Sequence, residues 1–325
     1  VLTNKKKNTA LVFLSFLMMT TVSCKKDLLH WHKVQQLSSG TNTSLNKIRF
    51  IDNNTCIIAG GVQFFQAEVT RSVDGGYTWT ANSYPQAGLS MYGLCSSPTG
   101  TLYLCGEYGR TLYSRDNGAT WQPGRITDYL FDVGCAFPVP DTGIFVSTVL
   151  QRQSNITRVD SNFNILSEQT FQFGLNAIYM INDSAGYVIG YGAVLKTTDR
   201  GRTWDVQNVN GDNFMCMDIH GDEIWMCGFN GSIFHTRDGG NNWGRQRNGN
   251  DITQARYNIL SIIFKDENNG WATCDNGKVI HTDDGGSHWE EYDQFTSSAL
   301  RSIVICPNGD LLTAGDNGAL YRIVP

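Results

Sequence analysis

One short turn motif recurs five times in this chain, and its spacing restricts the fold to a repeat architecture. The pattern is Ser/Thr-x-Asp-x-Gly-x-x-Trp, running from Ser72 to Trp79, Ser114 to Trp121, Thr197 to Trp204, Thr236 to Trp243 and Thr282 to Trp289. It accounts for five of the eight tryptophans, so these residues have structural work before any catalytic role is considered. A self-similar unit of about 40 residues cannot bury its apolar face alone and must stack on further copies. Each residue type has a mechanical reason to be there. Asp at a turn accepts hydrogen bonds from N–H groups just downstream. Gly two residues later takes a positive φ. Trp opens the next strand and buries a large apolar face.

The motif aspartates are Asp74, Asp116, Asp199, Asp238 and Asp284, at intervals of 42, 83, 39 and 46. The interval of 83 spans two periods, and the stretch Arg158 to Ile165 fills the gap. There Asp160 holds the Asp place, Asn162 stands for the glycine because Asn tolerates a left-handed backbone, and Ile165 stands for Trp. A seventh unit begins around Gly315-Asp316-Asn317-Gly318, parallel to Gly228-Phe229-Asn230-Gly231, and reaches Pro325 without its fourth strand. The segment His30 to Leu37 offers that strand. Residues 30–325 are therefore expected to form an all-β, seven-bladed propeller of four-stranded antiparallel blades. Pairing the N-terminal strand with the C-terminal blade closes the ring and removes its open edges.

These residues resemble the Asp box, or BNR repeat, of sialidases, sortilin-type receptors and several glycoside hydrolases. A ring of seven such blades on one short chain is most similar to the photosystem II stability/assembly factor-like family. The resemblance implies a scaffold that holds a protein partner, and an arginine-rich contact patch for which Arg110, Arg152, Arg247, Arg256 and Arg301 are the candidates here.

Residues 1–23 have the form of a bacterial signal peptide, with Lys5-Lys6-Lys7 ahead of the apolar run Ala10 to Met19. Cys24 stands at the expected cleavage point and resembles a lipidation site, with residues 24–29 as tether. The expectation is a monomer in the bacterial cell envelope, periplasmic or outer-membrane, anchored in a membrane by lipid. Removing residues 1–23 takes away Lys5, Lys6 and Lys7 and no acid, leaving 22 basic against 30 acidic side chains, a net charge of −8. That balance argues against nucleic acid as a partner. The eight cysteines after Cys24 lack metal-site or redox spacing and are expected as buried small apolar residues, with no metal or other cofactor. Were disulfides to form, Cys95 with Cys105 and Cys216 with Cys227 are the pairs on adjacent strands of one blade.

With the four strands of a blade lettered A to D from the axis outward, propeller topology places the Asp boxes on one face, and the B–C turns and blade-to-blade links on the other, where binding is expected. The partner-binding candidates are Phe64, Phe65, Tyr108, Arg110, Arg152, Phe229, Arg247, Arg256, Tyr257 and Arg301. Phe64-Phe65 and the long link from Arg245 to Tyr257 exceed what a tight turn requires. Such a surface suits an envelope protein or, by stacking on sugar rings, a glycan. The alternative is a divergent glycoside hydrolase or lyase of the same propeller type, using Glu107 with Asp132, Asp275 or Asp316. Against it, sialidase chemistry needs an arginine triad, a Tyr nucleophile paired with Glu and an Asp acid/base, with the first Arg in an early Phe/Tyr-Arg-Ile-Pro motif. Tyr321-Arg322-Ile323-Val324-Pro325 lies at the wrong end for the arginine motif. No catalytic residue is assigned.

Overall fold

A computed structural model describes residues 28–85, 87, 89–126, 131–139, 141–149, 152–253 and 255–325. The expectations for the signal peptide and for Cys24 lie outside these residues. The strands form seven four-stranded antiparallel sheets. Blade 1 spans 44–84, blade 2 91–125, blade 3 131–171, blade 4 175–206, blade 5 214–247 and blade 6 259–291. In blade 7 the strands Leu300–Ile305, Leu311–Gly315 and Leu320–Val324 are completed by Lys33–Gln36. The closing register pairs Lys33 with Val324 and Gln36 with Tyr321. Ahead of that strand the chain is pinned to blade 6. Leu29 N–H donates to the Glu291 carbonyl and Asp293 N–H to that of Leu29. Trp31 stacks on Tyr292 at 3.5 Å.

Within each blade, strands are lettered A to D from the axis outward. Buried apolar side chains among the described residues fall into seven clusters, one for each seam between neighbouring blades. The box tryptophans show how a seam is built, because each packs backwards. Trp121 of blade 2 lies with Ile57 and Val69 of blade 1, and Trp204 of blade 4 with Ile144 and Val146 of blade 3.

The box geometry explains this direction. Asp74 accepts from the N–H groups of Tyr77 (3.0 Å) and Thr78 (2.9 Å) and from the Thr78 hydroxyl (2.6 Å). The Ser72 hydroxyl donates to Asp74 at 2.8 Å and accepts from Gly76 N–H at 2.9 Å. Both residues after the Asp are left-handed: Gly75 and Gly76, Asn117 and Gly118, Arg200 and Gly201, Gly239 and Gly240, Gly285 and Gly286. A Cβ on Gly118 would meet Ile57 at 2.6 Å and one on Gly201 would meet Ile144 at 2.6 Å, so the preceding blade as well as φ demands glycine. The carbonyl just after the Asp is turned toward that blade and accepts its donors. Arg71 reaches Asn117 (3.1 Å), Lys196 reaches Gly239 (2.8 Å), and Arg322 reaches Gly75. The box is thus a latch between blades as well as a turn.

The residue four places after the Asp recurs as a donor through backbone and side chain alike: Thr78, Thr120, Thr203, Asn242 and His288. Asn164 does the same for Asp160, which establishes the sixth box. Two details of that box are corrected. Phe163, with φ 65°, carries its left-handed residue rather than Asn162. Phe163 also fills the place of the tryptophan, packing edge-on to Tyr103 at 6.1 Å in the seam between blades 2 and 3, while Ile165 is 53% exposed. Shifting the left-handed residue turns a different side chain into the seam.

These turns give the fold an acid limit. Hydrogen bonds from Thr120 and Ser114 hold Asp116 at about 2, and those from Asn242 and Thr236 hold Asp238 at about 2. In Asp74 and Asp284, burial pushes the other way but is outweighed by the Thr78 and His288 donors, leaving both at about 2. A folded pKa below the unfolded value of about 3.9 means stability that is whole above about pH 5 and drains as pH falls from about 4 to 2. The thermal midpoint should therefore fall most steeply in that window. Native-state carboxyl resonances of these four residues that still titrate near pH 4 would sink the idea.

Candidate partner-binding face

The seven A strands line a central channel of about 780 Å³. Each carries a register shift near its start, leaving one unpaired residue: Asn46, Tyr92, Val133, Asn176, Met215, Leu260 and Arg301. A bulge re-aims its side chain, and all seven line the channel. Several tie neighbouring blades. Asn46 donates to the Met91 carbonyl at 2.8 Å, and Asn176 donates to the Phe214 carbonyl at 2.7 Å. Of the seven, only Arg301 is among the partner-binding candidates read from the sequence; Tyr92, Met215 and Leu260 nonetheless carry a signal there. That signal is the large apolar residue just before each, Met91, Phe214 and Ile259, all fully buried in the fold.

Beside the channel mouth the B–C turns of blades 1 and 2 depart from a rule that those of blades 4 to 7 keep. The left-handed position is held by Gly192, Gly231 and Gly277 in blades 4, 5 and 6, and by Asn317 with Gly318 in blade 7. In blades 1 and 2 it is held by Phe64 (φ 58°) and, ahead of Gly109, by Tyr108 (φ 53°). For a bulky residue this backbone is unfavourable by about 1–2 kcal/mol. Both rings are exposed, Phe64 at 55% and Tyr108 at 36%, with Phe65 beside them at 73%. The Phe64 and Tyr108 ring centroids lie 6.3 Å apart across the seam.

Glu107 holds the two turns together. It is fully buried and accepts from the N–H groups of Phe64 (2.7 Å) and Ser90 (3.3 Å) and from the Tyr92 hydroxyl (3.0 Å). The other carboxylates weighed for catalysis are likewise engaged. Asp275 accepts from the Asn258 amide at 2.7 Å. Asp316 accepts from Ser44 (2.8 Å) and from Arg301 (2.5 and 3.0 Å). Burial would raise Asp316, but the Arg301 and Ser44 contacts prevail and hold it below the usual range. The Asp132 side chain lies outside the described residues. No group of three His, Cys, Asp or Glu side chains placed to hold a metal occurs among the described residues.

The remaining candidates divide by exposure. Arg152 and Arg256 are exposed, and Arg110 and Phe229 are half-buried. Arg247 and Tyr257 are buried, which corrects their placement on a contact surface. Arg247 donates to the carbonyls of Gly231 and Ala255 and lies over the Tyr257 ring at 4.8 Å, while the Tyr257 hydroxyl reaches Glu291 at 2.9 Å. The long link is therefore folded over its own arginine. The five arginines do not gather into one patch. They come from blades 2, 3, 5 and 7 and from the link between blades 5 and 6, with Arg247 inside and Arg301 held by Asp316.

A profile of the BNR/Asp-box repeat matches residues 112–123, on the box of blade 2. The chain is a seven-bladed Asp-box β-propeller. A profile described as photosynthesis system II assembly factor YCF48 matches residues 159–250, a minority of the chain, so the likeness to that family remains a resemblance. Among solved structures, the propeller is similar to YCF48 from Cyanidioschyzon merolae at 16% identity and TM-score 0.68, over 90% of this chain and 98% of that one. It is similar to a structure described as YCF48 bound to D1 peptide at 16% identity and TM-score 0.69, over 92% and 100%. The WD40 repeats of RRP9 superpose as well, at 12% identity and TM-score 0.69 over 92% and 99%, so these likenesses speak to the fold alone. A search of curated proteins by sequence finds no match.

Proposed function

We propose that this propeller is a non-catalytic binding protein of the bacterial cell envelope, tethered through a lipid on Cys24, and that it holds a polypeptide partner on the face around Phe64, Phe65 and Tyr108. One observation carries the reading: two adjacent blades place exposed aromatic rings on left-handed backbone where the B–C turns of blades 4 to 7 use Gly or Asn. Strain of this kind persists where a site needs it. Exposed aromatic anchors are the residues on which protein partners gain most of their affinity. Arg110 and Arg152, at the B–C turns of blades 2 and 3, are the polar residues on which recognition on this face would draw.

The profile match to the YCF48 family and the peptide-bound state of a YCF48 structure support a polypeptide as the ligand class. The engagement of Glu107, Asp275 and Asp316 in fold contacts supports binding without catalysis. Partner capture from solubilised native membranes tests this, comparing the natural chain with Phe64→Ala/Tyr108→Ala. A protein retained by the natural chain should be lost from the variant, whose thermal midpoint should change by no more than a few degrees. Equal retention by both would overturn the assignment of the face.

A further inference from the structure

We propose that Cys95 and Cys135 are an oxidation site, a pair of thiols that a small disulfide oxidant such as oxidised glutathione converts to a covalent clasp between blades 2 and 3. Their sulfur atoms lie 2.9 Å apart. They come from the A strands Met91–Ser96 and Phe131–Val139 of neighbouring blades. The backbones approach because both strands carry glycine at the crossing. A Cβ on Gly93 would stand 3.1 Å from the Gly134 Cα and 3.2 Å from the Cys135 nitrogen. The pairing differs from the one that adjacency within a blade suggested. Cys95 stands opposite Tyr103 in register, and Cys105 stands opposite Gly93.

The exchange balances as follows. The thiolate of one cysteine attacks the oxidant's disulfide and releases one glutathione thiolate. The thiolate of the other cysteine then displaces the second. One protein S–S bond forms, one oxidant S–S bond breaks, two electrons pass to glutathione, and the two thiol protons go to solvent or to the released thiolates. Both cysteines are buried yet line the channel, which gives a small oxidant its route. Burial pushes the Cys95 thiol well above its ordinary range, so exchange in the closed ring is slow and the bond forms mainly while blade 3 docks on blade 2.

The full chain refolded in oxidised glutathione tests the site, with refolding under reductant as reference. Alkylation in denaturant without reduction, followed by proteolysis, should leave Cys95 and Cys135 unmodified in one linked peptide pair about 2 Da lighter than the two thiols. The link should vanish on reduction, be absent from Cys95→Ala and Cys135→Ala, and persist in Cys105→Ala. The oxidised protein should melt roughly 5 °C above the reduced one, since the bond closes a loop of about 40 residues. Peptide mapping of the natural chain decides the question even if a variant fails to fold. Alkylation of both residues in the oxidised protein, or a peptide joining Cys95 to Cys105, overturns the proposal.

Discussion

A chain that starts at Thr41 will melt at least 10 °C below the natural one, or will be recovered only as aggregate. Residues 33–36 supply the outer strand of blade 7, and Leu320–Val324 becomes an open edge without them. An unpaired edge is a template for association with other chains. Side-chain burial is lost with it. Leu37 is 8% exposed in the seam between blades 7 and 1, and Trp31 and Val34 pack in the seam between blades 6 and 7. At about 2 kcal/mol for each large apolar side chain, the loss is roughly 5 kcal/mol before hydrogen bonds are counted. Total stabilities are typically about 5–15 kcal/mol. Calorimetry and size-exclusion chromatography measure the outcome, and a synthetic peptide covering residues 28–40 should partly restore the melt. An unchanged midpoint would mean that strand pairing does not hold the ring closed.

Tyr108→Asn is expected to move stability and affinity in opposite directions. Glu107-Tyr108-Gly109-Arg110 is the same turn as Asp316-Asn317-Gly318-Ala319, with the first carbonyl accepting from the fourth N–H at 3.1 Å in both. Asn-Gly is the preferred pair for two consecutive left-handed residues. Asn at position 108 should therefore relieve part of the backbone strain of about 1–2 kcal/mol. The ring it replaces is 36% exposed, so part of that gain is offset by lost contact with Phe64. The denaturant midpoint should rise, or at least hold, with its slope unchanged. Affinity for the captured partner should fall roughly 30-fold, the effect of deleting an aromatic anchor worth about 2 kcal/mol. A residue serving only the fold would lose stability on the same change. Parallel losses in both measurements would remove Tyr108 from the site.

The ring was legible because its information is local. Asp, Gly and Trp in one octapeptide specify a turn, and turn spacing counts blades, even to the weakened box at Asp160. What stayed hidden depends on neighbours distant in sequence. Ile165 occupies the tryptophan's place in the string, yet Phe163 occupies it in space, because one left-handed residue had shifted. Arg247 sits in an exposed-looking link and is buried, because residues as far along as Tyr257 fold back over it. Cys95 meets Cys135 across a seam, where spacing within a blade pointed to Cys105. At the candidate site, Phe64 and Phe65 stood out as more than a turn needs. The backbone strain beneath Phe64 and Tyr108 is seen only when the six described B–C turns are compared.

The attachment of Leu29 and Trp31 to blade 6, just ahead of the strand that completes blade 7, has a mechanical consequence. Tension applied to the chain before residue 28 does not fall first on the closing strand. It falls on the backbone bonds between Leu29 and Glu291 to Asp293 and on the stacked Trp31 and Tyr292 rings. This contact acts as strain relief, as a clamp on a cable protects the joint behind it. A tethered propeller pulled by a bound partner would give way there before its ring came open.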